Sequence, residues 1–62
     1  MGHEKRDKAK KAKENLDEAE KHGHEAKKLF KEIGDPDGEK KADAVVKTAK
    51  EASEYVERRT SE

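Results

Sequence analysis

Cysteine is absent from this chain, proline occurs once, glycine four times, and aromatic residues make up 3% of it. Each shortage excludes something. Without cysteine there is no disulfide frame and no thiolate chemistry, and the redox compartment goes unmarked. With Phe30 and Tyr55 as the only aromatics, the basic segment 4–13 has none on which nucleobases could stack. No apolar run approaches the roughly 18 residues of a membrane span, and nothing resembles the apolar region of a signal peptide. A soluble chain is expected, cytoplasmic if made in a cell, with no membrane partner. Charge of one sign is also missing. Sixteen Lys and Arg balance sixteen Asp and Glu, so no global basic field exists to draw in nucleic acid. A Ser/His/Asp set, a phosphate-cradling glycine loop and a Cys/His cluster are all lacking. No enzyme activity, cofactor or small-molecule substrate is expected.

What is present is charge and alanine. Charged residues are 52% of the 62-residue chain and hydrophobic residues 27%, and eight of those seventeen apolar residues are alanine. One domain, residues 1–62, is the limit, and a chain so short buries too little to be more than marginal alone. So many charges also raise the alternative of a disordered chain.

The stretch Ile33-Gly34-Asp35-Pro36-Asp37-Gly38 organises the rest. Proline disfavours the helical region for the residue before it, so a helix arriving from the N-terminal side ends near Ile33. Gly34 suits the left-handed position after a helix, Asp35 suits an N-cap and Pro36 the first helical position. The pattern predicts a helix over about 4–33, a turn over 34–36 and a second helix over about 36–60.

Two apolar seams flank this turn. Ala9, Ala12, Leu16, Ala19, Gly23, Ala26, Phe30 and Ile33 are spaced alternately by three and four residues, as are Ala42, Val45, Ala49, Ala52, Val56 and Arg59. Folding the arms so that paired positions sum to 75 matches Ile33 with Ala42, Phe30 with Val45, Ala26 with Ala49, Gly23 with Ala52, Ala19 with Val56 and Leu16 with Arg59. The expected fold is all-α, an antiparallel two-helix hairpin with its interface at Leu16, Ala19, Gly23, Ala26, Phe30, Ile33, Ala42, Val45, Ala49, Ala52 and Val56. The alternative is a three-helix bundle with a break near Gly23, because glycine inside a helix costs about 1 kcal/mol. Continuity is favoured by a seam that keeps phase across Gly23 and by the lack of a capping residue after it. Pairs such as Glu4/Lys8, Asp17/Lys21 and Asp43/Lys47 add i,i+4 support for helix over disorder.

In this register, residues 1–12 overhang the second helix and leave Ala9 and Ala12 without an intramolecular partner. Leu29 and Tyr55 on one flank, and Val46 on the other, exceed what two helices can cover. These five residues are the expected self-association surface, and a homodimeric four-helix bundle is the expected assembly.

Arms filled with Lys, Glu and Ala, a strict seam and a Gly-Asp-Pro connector resemble a de novo designed helical hairpin or coiled coil. The resemblance implies a scaffold that folds and associates, with no biochemical activity. Residues 30–42 are also similar to the inter-helix turn of tetratricopeptide repeats, which implies a peptide-binding unit, although no second copy of the repeat period is present. The alternative function is a small binding module, for a helical peptide or for nucleic acid through the basic segment 5–13. His22 and His24, two apart, point to opposite sides of a helix and cannot share a metal ion. Asp35-Pro36-Asp37-Gly38-Glu39 lacks the length and ligands of a calcium loop, and capping accounts for its aspartates. Met1-Gly2-His3 has the form of a start sequence. No metal site is expected.

Overall fold

The computed structural model describes residues 2–60; Met1, Ser61 and Glu62, the last being the far end of the expected register, lie outside them. Two helices, α1 (His3–Glu32) and α2 (Pro36–Thr60), pack antiparallel as a hairpin. α1 runs unbroken through Gly23, so the three-helix alternative is excluded. The hairpin is a rod of 47 × 14 × 10 Å between Cα extremes.

The turn follows from its sequence. Ile33 ends α1 at φ −89° and ψ 1°, and Gly34 takes φ +70°, the left-handed region in which a Cβ would be strained. The Gly34 N–H donates to the Lys31 carbonyl at 3.1 Å and the Asp35 N–H to the Phe30 carbonyl at 2.9 Å. These two bonds form a Schellman motif, which satisfies carbonyls that the helix end would otherwise leave open. Asp35 then caps α2: its Oδ1 accepts from the Gly38 N–H at 3.0 Å, and its carbonyl accepts from the Glu39 N–H at 3.0 Å. Acidic Asp37 and Glu39 in the first turn of α2, and basic Arg58 and Arg59 in the last, complement the helix dipole.

The register differs from the one the seams predict. Ser53 bonds Asp17, Lys27 bonds Asp43, and Gly23 lies against Val46. Paired positions thus sum to 69 or 70 and not to 75. The reason is the tightness of the turn, which reverses the chain at Asp35 and leaves no residue over. Both helices are also rotated. With Ala9, Leu16, Gly23 and Phe30 taken as a positions in α1, and Ala42, Ala49 and Val56 in α2, the seams predict contact along a and d. The residues that face the partner helix lie along a and e, a turn of about 50° for a helix of 3.6 residues per turn.

Val46, expected on a flank, is therefore only 6% exposed, as are Ser53, Ala42 and Ala49. Ile33 and Val45, expected in the interface, are 74% and 53% exposed. Ala9 is half-buried and Ala12 exposed, because the shorter register brings Thr60 opposite residue 10 and shortens the overhang.

Glycine sets the rotation. Gly23 has no side chain, and a Cβ built there would lie 2.7 Å from the Val46 Cγ2 methyl. Val46 accordingly lies directly on the α1 backbone. Gly38 is buried under the Phe30 ring, whose Cε1 and Cγ would be 2.7 and 2.8 Å from an added Cβ. One branched side chain and one ring seated on opposite glycines fix both the register and the face each helix turns inward.

Candidate interaction face

Rotation toward the e positions gives the hairpin two unlike sides. On the e side the contact is closed by polar groups. The buried Ser53 hydroxyl donates to Asp17 Oδ1 at 2.6 Å, and Lys13 Nζ reaches Asp17 Oδ2 at 3.1 Å. These two hydrogen bonds, from Ser53 first and then Lys13, hold the Asp17 carboxyl below its ordinary pKa, and Asp17 in turn raises that of Lys13. Nearer the turn, Lys27 Nζ bonds Asp43 Oδ1 at 3.2 Å and Lys47 approaches Asp43 Oδ2 at 3.5 Å. Lys27 chiefly, with Lys47 behind it, depresses the Asp43 pKa. The sequence reading missed Ser53 as a bridging group, because the predicted register sets it opposite His22 and not Asp17.

On the other side the d and g positions are left open. Leu29, Ile33, Val45 and Tyr55 are 61, 74, 53 and 57% exposed. Three shallow depressions run into one another along this side. The largest, of about 510 Å³, has Ala19, Gly23, Ala26, Phe30, Ala42 and Val45 in its walls, with His22 and Lys41 at the rim. A second of about 320 Å³ extends it through Ala26 and Phe30 to Leu29 and Ile33 at the turn. A third of about 370 Å³ continues from Val45 past Leu16, Thr48 and Ala52 toward the open end. Tyr55 stands seven residues beyond Thr48, on the same row of α2. The groove is thus a continuous apolar strip along the hairpin, with polar groups confined to its rims.

Of the residues expected to self-associate, Leu29, Tyr55 and Ala12 are exposed, whereas Val46 is consumed by the hairpin contact. Of those expected between the helices, Gly23, Ala42 and Ala49 are buried, and Leu16, Ala19, Ala26, Phe30, Ala52 and Val56 are half-buried. Ile33 and Val45 join the open side, because the rotation that buries Val46 turns them outward.

Nothing in the groove brings an acid, a base and a nucleophile together. His22 Nδ1 lies 3.8 Å from Glu25 Oε2 at the rim, and His24 is exposed elsewhere on α1. Among the described residues no group of three or more His, Asp or Glu side chains could hold a metal ion. No helix of the described residues is long and apolar enough to cross a membrane. The basic segment is partly compensated by acids beside it: Lys8 pairs with Glu4 at 3.4 Å, and Lys13 is engaged by Asp17. Comparison with known protein families, with characterised proteins and with solved structures returns no match.

Proposed function

We propose that the chain is a structural self-association module, a designed-type hairpin whose role is to pair with a second copy of itself as a homodimeric four-helix bundle. The observation that carries this reading is the open groove, with Leu29, Ile33, Val45 and Tyr55 all more than half exposed beside it. Contiguous exposed apolar surface of this kind marks interaction sites on soluble proteins. A helical groove takes an amphipathic helix, and the helices at hand in a solution of this protein are its own. No catalytic step belongs to this reading. Sedimentation equilibrium from low to high micromolar protein tests it: a rise from the monomer to twice the monomer mass is expected, and a monomer mass throughout would overturn the proposal.

A further inference from the structure

We infer that the two hairpins dock with their turns at opposite ends, α1 against the partner's α1 and α2 against the partner's α2. This rests on the self-association reading above and adds the orientation. Two hairpins that meet through the same face about a two-fold axis have two choices. With turns together, α1 lies over the partner's α2; with turns apart, each helix lies antiparallel over its own copy. The charge pattern of α1 favours the second.

In heptad rows d and g and the adjoining row c, the open end of α1 carries Lys5, Lys8 and Lys11 with Glu4, its centre Glu18, and its turn end Glu25 and Glu32. Antiparallel pairing of α1 with its copy lays the basic end of each on the acidic end of the other, twice per dimer. When g positions face g positions, Lys8 sits opposite the second copy's Leu29, between Glu25 and Glu32, and Asn15 faces His22. The same two-fold axis sets Thr48 opposite Tyr55 on α2. The overhang extends the same charge pattern. Thr60 falls opposite residue 10, so α1 projects past α2, and residues 4–13 carry six cations against two acids. Turns together would bring both basic projections to one end, whereas turns apart hold them at opposite ends.

Because the chain has no cysteine, a single Lys31→Cys substitution gives a unique label near the turn, at an exposed position away from the groove. Two spin labels there should lie about 40 Å apart with turns at opposite ends, from the 1.5 Å rise per residue on either side of the two-fold axis. A separation of about 30 Å or less in a protein of dimer mass would overturn the orientation and leave self-association intact. A monomer mass would remove both. Charge supplies the second arm. Lys8→Glu with Lys11→Glu should weaken dimerisation about tenfold at low salt, given the modest worth of each exposed pair. Adding Glu25→Lys and Glu32→Lys to the same chain should restore it. Failure of the fourfold variant to recover, with helicity unchanged by circular dichroism, would show that these residues do not meet.

Discussion

Three glycines in this chain have three different duties, and each answers differently to a side chain. Gly34 sits at φ +70° with nothing within 4 Å of an added Cβ. Only backbone strain opposes a larger residue there, so Gly34→Val should destabilise the protein by about 1–2 kcal/mol in chemical denaturation. Gly38 lies within the first turn of α2, where propensity alone makes alanine neutral or favourable by up to about 1 kcal/mol. The Phe30 ring over it reverses that expectation: Gly38→Ala should cost about 1 kcal/mol net, because overpacking of about 1–3 kcal/mol outweighs the propensity gain. A stabilised Gly38→Ala protein would mean that the ring does not rest on this glycine. Gly23→Ala meets a methyl of Val46, which is β-branched and stiff in a helix. The substitution should be unfavourable beside Val46 but favourable by roughly 1 kcal/mol in a Val46→Ala background. Equal effects in both backgrounds would disprove the contact.

Each helix is held by local chemistry at the turn and by two polar clusters across the hairpin. Asp17 and Asp43 both have pKa values depressed in the folded protein, the first by Ser53 and Lys13, the second by Lys27 and Lys47. A depressed carboxylate contributes stability that is present above its unfolded pKa, near 4, and lost as pH falls through the lower folded value. The thermal midpoint should therefore drop as pH is taken from about 5 toward 2. Asp17→Asn with Asp43→Asn should lower the midpoint at pH 7 and flatten the acid limb, since an amide in place of the Asp17 carboxylate can still accept from Ser53 but carries no charge. An acid limb as steep as that of the parent protein would assign the pH dependence to other carboxylates.

For the whole molecule, assembly and folding are coupled if the open groove is covered by a second copy. The unfolding midpoint should rise with protein concentration, because only the folded state binds a partner. Changing Leu29 and Tyr55 together to Gln should abolish that dependence, whereas Lys10→Gln, on an exposed row away from the groove, should leave it in place. A concentration-independent melt of the unsubstituted protein would instead describe a stand-alone hairpin, held by helix propensity, capping and a core in which no large side chain is fully buried among the described residues.

The sequence alone determined two helices, their ends to within a residue and the chemistry of the turn, because capping, proline geometry and heptad spacing act over a few neighbouring residues. It determined that Gly34 would be left-handed, that α1 would continue through Gly23, and that Leu29 and Tyr55 would lie outside the two-helix contact. The register and the inward face were decided by the tertiary structure. A strict 3-4 seam of alanines is nearly as compatible with contact along a and e as along a and d, since alanine is small enough to fit either way. What broke the degeneracy was the seating of Val46 on Gly23 and Phe30 on Gly38, with Ser53 reaching Asp17. Those pairs are far apart in the chain, and nothing in the local pattern of either helix specifies them. The same rotation moved Ile33 and Val45 to the open side, and so the groove that carries the proposed function exists only once the two helices have met.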